Sequence, residues 1–436
     1  MIDIMKSISL MLLAAAPVWA ITLQEAVDTA LQNRGDLQSA RMDYESAVWD
    51  SRSADLWFLP RVTGQLVFSR DWDVQEMTIP GMGSIPMGSE YASLAGLSVS
   101  VPVFVAQGPA GSRLASRAED LSLNLARVSE MDAVVQVVQA FYGVLLAQEM
   151  MDVSREAMGI AEEGYRLARL KHEAGTISRF ELLQSRVAWE NRNPDLIAAE
   201  NALENAVAGL AVALGRDPGD VFQVEGSLDS EPVPGLPASL DEARGMMLAN
   251  SPDLRVAEQL ELVGEAGVDM ARSSFAPQLV FQTSLNYQAA RSDMEFGLDD
   301  YERDLTASIA LQVPLFNGFS DIAGFNSARA ERTASEVSAR SLRQAAELSL
   351  ISAWNDLRAA RESAEATCST VEQAAEGAEI ARVSYEGGMI TRLDMDQAFL
   401  ALTSARTNHA MALFDLRTTE AELMRAVGLM EGYTDE

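Results

Sequence analysis

Residues 22–37, "TLQEAVDTALQNRGDL", return without a gap at 239–254 as "SLDEARGMMLANSPDL", so the second half of the chain restates the first. The offset, 240 minus 23, is 217, and it also lays Phe58-Leu59-Pro60 on Phe275-Ala276-Pro277. Farther along, "SVPVF" (100–104) matches "QVPLF" (312–316), "SRAE" (116–119) matches "ARAE" (328–331), Gly175 matches Gly388, and Leu214-Gly215 matches Val427-Gly428. Between the copies, 216–238 reads "RDPGDVFQVEGSLDSEPVPGLPA", a proline-, glycine- and acid-rich linker. The expected organisation is a leader over 1–20, a first repeat over 21–215, the linker over 216–238, a second repeat over 239–428 and a tail over 429–436.

Each repeat carries one internal plan. Thr22 with Glu25, and Ser239 with Glu242, have capping-box spacing, so each copy opens with a short helix that stops near Gly35 or Pro252. A second helix runs to the junction proline, and a strand hairpin follows, over 61–105 in one copy and 278–316 in the other. Arg113 to Ala174 then holds 62 residues without proline, with Leu121, Leu125, Val128, Met131, Val135, Val138, Tyr142 and Leu145 at three-four spacing. Its counterpart is Ser327 to Glu386. A helix of 62 residues is about 93 Å long, more than one globular core covers. Return helices of 38 residues follow the glycines, Ile177 to Leu214 and Ile390 to Val427, the first with a kink expected at Pro194. Because Asp36 to Leu59 has 24 residues, and 24 plus 38 is 62, two shorter helices are expected to stack end to end beside one long one. The hairpin then caps one end of a rod and the glycine turn caps the other.

The strand segments alternate. Leu279, Phe281, Thr283, Leu285 and Tyr287 share a face opposite Val280, Gln282, Ser284 and Asn286, and 305–313 and 97–103 repeat the pattern. Such lengths suit tilted transmembrane strands, with Trp57, Trp72, Tyr91, Tyr287 and Tyr301 near their ends as interfacial aromatics, although a soluble hairpin alternates equally well. Four strands cannot close a barrel and lipid tolerates no open edge, so a membrane-spanning sheet implies several chains sharing one barrel. No window past Ala20 is apolar over eighteen residues, so no spanning helix is expected. Lys6, the apolar Ile8 to Ala16 and the Val18-Trp19-Ala20 pattern read as a signal peptide cleaved after Ala20. A count of 33 basic against 64 acidic residues, net −31, excludes nucleic acid as a partner. A single cysteine, Cys368, and two histidines give neither a disulfide framework nor a histidine metal site, and no cofactor or metal is expected. The twenty methionines are scattered at core-like helical positions, as gap-fillers.

Together, the paired openings, the paired proline junctions, "SVPVF" and "QVPLFNGF", and the two glycine turns resemble the TolC-like outer membrane efflux protein family over essentially the whole mature chain. The resemblance implies a mainly α fold with a transmembrane β-barrel portion. Three chains would each give four strands to a shared 12-stranded barrel, and their long coiled-coil helices would form a periplasmic α-barrel. It implies the outer membrane exit duct of a tripartite efflux pump or type I secretion system. The partners would be two further copies, a periplasmic adaptor, an inner-membrane pump and outer membrane lipid. Ile21 stands where lipidated members carry a cysteine, so no lipid anchor is expected. The other reading kept open is a soluble periplasmic coiled-coil scaffold without a pore.

The same resemblance assigns the sites. The adaptor-contacting hairpin tips would be Gly175, Thr176, Ile177, Ser178 and Arg179, with Gly388, Met389, Ile390, Thr391 and Arg392. Acidic rings narrowing the periplasmic entrance would use Asp394, six residues past Gly388, its equivalent Glu181, and Asp396 in place of the family's second acid, since Gln397 stands there. Asp394 and Asp396 project about 200° apart on a helix, so both cannot face a lumen directly. Paired carboxylates also serve as general acid and base, but no nucleophile motif, phosphate loop or metal-ligand spacing accompanies these, and no enzymatic activity is expected.

Overall fold

The computed structural model describes residues 20–430 and Tyr433, apart from Met82, Met87 and Val221. The expected leader, except Ala20, and most of the expected tail lie outside the described residues. In chain order the elements are β1 (Ala20–Ile21), α1 (Leu23–Asn33), α2 (Gly35–Asp55), β2 (Arg61–Arg70), β3 (Glu76–Ile79), β4 (Gly83–Pro86), β5 (Tyr91–Val105), α3 (Gln107–Glu173), α4 (Arg179–Glu190) and α5 (Arg192–Ala213). After them come β6 (Gln223–Val224), α6 (Leu240–Asn250), α7 (Pro252–Ser273), β7 (Gln278–Arg291), β8 (Glu302–Gln312), α8 (Ser320–Glu386) and α9 (Arg392–Val427). They form two compact units. One comprises the chain up to Met42, Leu125–Leu254 and everything from Arg343; the other comprises Asp43–Asn124 and Arg255–Leu342.

The first unit is helical, and its core gathers both repeats where each begins and ends. Ala26, Val27 and Ala30 of α1, and Ala243 and Met247 of α6, share a buried cluster with Val134, Val137, Val138 and Phe141 of α3 and with Leu350 and Leu357 of α8. The opening helices start as their capping signals require. At Thr22 the box is reciprocal, with Glu25 N–H donating to Thr22 Oγ1 (3.3 Å) and Thr22 N–H to Glu25 Oε2 (3.0 Å). At Ser239 only half of it forms, because Glu242 accepts from Ala238 N–H instead (2.8 Å). Both opening helices break at equivalent extended residues, Arg34 (ψ 126°) and Ser251 (ψ 121°). The terminal glycine of each repeat lies against that break. Gly215 (φ 71°) faces the Asn33–Arg34 peptide and Gly428 (φ 83°) the Asn250–Ser251 peptide, and a Cβ at either glycine would stand 2.7 Å from backbone.

The stripe read from the spacing of α3 is buried at Val138, Tyr142 and Leu145, with Met131 and Val135 packed against the core, but it fails towards the N-terminal end. Leu125 is 48 % exposed, while the small Ala126 and Ala133 are buried. Small side chains let a neighbouring helix approach closely, and a count of large apolar residues alone overlooks them. The first return helix is interrupted at Asn191 between α4 and α5, since Pro194 has no N–H to donate to the Glu190 carbonyl; the second return, α9, runs unbroken for 36 residues. The segment 216–238 is more than a tether. Its β6 pairs in parallel with β1, Phe222, Val224 and Leu228 join the core, and the carbonyls of Leu228 and Ser230 accept from the guanidinium of Arg417. One expectation is corrected: α3 and Arg179–Ala213 each contain an eighteen-residue window apolar enough to cross a membrane. In α3, 44 % of that window is buried within this chain, as in a core helix.

The second unit holds a four-stranded antiparallel sheet in the order β2-β5-β7-β8. β8 stops at Gln312, so the expected 278–316 hairpin is shorter by four residues; Gln312 is opposite Gln278, where β7 begins, and no strand remains to pair with Val313 and Pro314. In the first repeat the same motif stays in the sheet, because β5 has β7 beside it and absorbs Pro102 in a bulge between Pro102 and Phe104. Between β2 and β5, β3 and β4 form a small antiparallel hairpin of their own.

Candidate functional site

Two places carry the geometry that a function can use: the turns after α3 and α8, and the edges of the sheet. The turns are built alike. Gly175 and Gly388 both adopt φ 74°, a left-handed cap that glycine takes without a Cβ penalty. Thr176 N–H donates to Lys171 O (2.9 Å) and Met389 N–H to Ser384 O (2.8 Å), closing the same six-to-one loop. Ser178 and Thr391 then cap the return helices, accepting from Glu181 N–H and Asp394 N–H, both at 3.3 Å.

The carboxylates at these turns differ in what holds them. Oδ2 of Asp394 accepts from Thr391 N–H (2.9 Å) and Thr391 Oγ1 (2.7 Å), and these bonds hold its carboxyl below the usual value of 3.8. Its other oxygen accepts no hydrogen bond among the described residues, and the side chain is exposed. This capping box was legible in Thr391-x-x-Asp394 and was not read from the spacing. Glu181 is exposed and lacks the reciprocal bond. Asp396 is ion-paired with Arg392 Nε at 2.7 Å. Arg392 itself is only 11 % exposed. It lies across Gly164 of α3, where a Cβ would meet its guanidinium at 2.3 Å, and near the ring of Tyr385, which also receives Lys171 Nζ at 4.1 Å. Arg179, its counterpart, is exposed. The remaining tip residues, Thr176, Ser178, Met389 and Thr391, are exposed, with Ile177 and Ile390 half-buried. Beyond the residues singled out from sequence, Phe180 (73 % exposed) and Val187 match Leu393 and Leu400, bare apolar positions seven apart on the same face of both return helices. Among the described residues no three His, Cys, Asp or Glu side chains converge to hold a metal.

Because Asp394 caps its helix, its two roles separate by substitution. Asp394→Asn keeps an acceptor for Thr391 N–H and removes the charge; Asp394→Ala removes both, and losing such a cap costs about 1 kcal/mol. We expect the alanine variant alone to speed amide exchange in the first turn of α9, and equal exchange in both variants would contradict the capping role.

The sheet has two chemically distinct faces that continue across all four strands. One runs Val62, Val99, Thr283, Ala307 and then Gly64, Leu97, Leu285, Leu305; the other runs Thr63, Ser98, Ser284, Thr306 and then Arg61, Ser100, Gln282, Ser308. β2 and β8 are exposed at every residue, including Leu66, Phe68, Leu305 and Ile309, and among the described residues each has a strand on one side only. Such long apolar edges are not left bare in a working protein.

Two glycine-capped helical hairpins, together with a four-stranded sheet that is apolar on one face, define the class of fold. The chain belongs to the outer membrane efflux protein family, which it matches over residues 26–216 and 243–429, one match per repeat. Membership places the protein in the outer membrane and sets the enzymatic reading aside. Among curated relatives, it is 25 % identical to the alkaline protease secretion protein AprF of Pseudomonas aeruginosa over 72 % of this chain and 65 % of that one. It is 26 % identical to the probable efflux pump outer membrane protein TtgC of Pseudomonas putida over 68 % of this chain and 60 % of that one. The chain thus spans a little under two thirds of these relatives' lengths. Of solved structures, the Campylobacter jejuni CmeC outer membrane channel shares the fold with a TM-score of 0.80 at 19 % identity, over 93 % of this chain and 85 % of that one.

Proposed function

We propose that this protein is the exit duct of a tripartite efflux pump or type I secretion system. Three copies give their four-stranded sheets to one 12-stranded barrel, and their helices form a tunnel that meets a periplasmic adaptor and, through it, an inner-membrane pump. The observation that carries this reading is the four-stranded sheet with bare apolar edges on both β2 and β8. Four strands are too few to enclose a lumen, and only closure removes both edges. The polar rows of Thr63–Thr306 and Arg61–Ser308 would line the lumen while the opposite rows meet lipid. The names of AprF and TtgC support the secretion and efflux forms of the duct respectively.

In this duct the tips 175–179 and 388–391, with Phe180 and Leu393 beside them, form the adaptor surface; Arg392 leaves it because its side chain is turned inward onto Asp396 and Gly164. Asp394 and Glu181 contribute rings of carboxylates to the periplasmic entrance. Asp396, neutralised by Arg392, contributes little charge. A ring of carboxylates in a narrow wet passage attracts cations and repels anions. The sign of its pH dependence follows from the lowered Asp394 carboxyl. Its charge is lost only as pH falls through a value below the unperturbed 3.8. Cation preference is therefore expected to hold from pH 7 down to about 5. Reversal potentials that collapse within that window would contradict the Asp394 ring.

Assembly is tested by extraction. The duct is released from membranes only by detergent and migrates as a heat-sensitive trimer on gels, whereas a protein that leaves in buffer as a monomer is the scaffold.

A further inference from the structure

The internal repeat contains one contact that is completed in one place and left open in the other. Under the offset of 213 that relates Gly175 to Gly388, Arg392 corresponds to Arg179 and Gly164 to Gly377. Arg392 of α9 is laid across Gly164 of α3, from the other repeat, where a Cβ would meet its guanidinium at 2.3 Å. Arg179 of α4 is exposed and has no hydrogen bond or ion pair among the described residues, and a Cβ on Gly377 of α8 would meet nothing within 4 Å. The neighbouring positions repeat too. Leu167 packs beside Met395 in the completed contact, and their counterparts are Ile380, 59 % exposed, and Leu182.

We propose that Arg179 of one copy docks over Gly377 of a second copy of this chain, the intermolecular version of the Arg392–Gly164 contact. This rests on the multi-copy duct above and names the residues that join its copies near the entrance, which takes Arg179 out of the adaptor surface. Charge supports the pairing. Arg392 finds its anion four residues along its own helix, at Asp396, but the equivalent of Asp396 beside Arg179 is Leu183. The anion must come from the receiving helix, and α8 presents Glu372 and Glu376 on one flank of Gly377, neither ion-paired among the described residues. α3 and α8 thus offer the same small-residue seat, once to a helix of the same chain and once to a neighbour.

The test is thiol cross-linking of the full chain in detergent, in a Cys368→Ser background so that only introduced cysteines react. The pairs are Arg179→Cys with Gly377→Cys, and independently Leu182→Cys with Ile380→Cys, each treated with a short bifunctional thiol reagent. Arg392→Cys with Gly164→Cys serves as the intrachain control. Light scattering reports the size of the particle. The expected result is a trimer by scattering whose first two pairs shift the denatured band from monomer to covalent dimer and trimer, while the control consumes its thiols at monomer mass. A trimer in which the control reacts and neither test pair links chains overturns the proposal and leaves the duct standing. A monomer by scattering overturns both.

Discussion

Gly428→Ala is expected to destabilise the protein by about 3 kcal/mol, and Gly388→Ala by only about 1 kcal/mol. Both glycines are left-handed, φ 83° and 74°, so both substitutions incur the same backbone strain. They differ in what a Cβ meets. At Gly388 there is open space; at Gly428 the backbone of Asn250 and Ser251 stands at 2.7 Å, and peptide atoms fixed by the α6–α7 break cannot retreat as a flexible side chain would. The additional cost is overpacking, about 1–3 kcal/mol. Gly215→Ala, against Asn33 and Arg34, should behave like Gly428→Ala because the two repeats close on themselves in the same way. Thermal unfolding followed by circular dichroism compares the three, and equal losses at 388 and 428 would contradict the close approach.

Arg417→Leu has the second large effect, about 3–5 kcal/mol at neutral pH. Arg417 and Glu420 are 4 % and 1 % exposed, joined at 2.7 Å, and Arg417 Nε also donates to Leu228 O at 3.2 Å. Removing the guanidinium strands a buried carboxylate and frees the 216–238 segment from its anchor. Burial already pushes the Glu420 carboxyl up, and Arg417 is the main influence drawing it back. A raised carboxyl binds its proton more tightly folded than unfolded, so its contribution is present below about 4.5 and is lost as pH rises through the folded value. Without Arg417 the carboxyl rises further, and the deficit of the variant should shrink as pH falls from 7 towards 5. Arg417→Leu with Glu420→Leu should recover most of the loss, since a well-packed apolar pair replaces a buried ion pair at little cost. A double variant no more stable than the single one would contradict this account.

Much of this architecture is legible in sequence because a repeat states each signal twice. Thr22-x-x-Glu25 and Ser239-x-x-Glu242, the breaks at Gly35 and Pro252, and the turns at Gly175 and Gly388 are local, and local rules find them. Pro194 announces its own break. What escaped is what depends on distant partners. The burial of Ala126 in place of Leu125 depends on which helix approaches α3, and the anchoring of a polar linker depends on Arg417, almost 190 residues away. Nothing near Arg392 shows that it is spent inside the protein, because the glycine that receives it is 228 residues earlier, 392 minus 164. For the site, local signals competed. Asp394 was read as an entrance acid, and the structure shows it as a helix cap whose second oxygen accepts no hydrogen bond among the described residues.

In the proposed duct the two repeated turns form a closed, acidic entrance to a pore. The direct measurement is conductance across a planar bilayer under a salt gradient, comparing the purified protein with an Asp394→Asn, Glu181→Gln variant. The expected result is small, cation-selective currents that grow and lose selectivity in the variant, whose asparagine still caps α9. Identical large conductances in both proteins, or no channels from well-folded trimer, would contradict it.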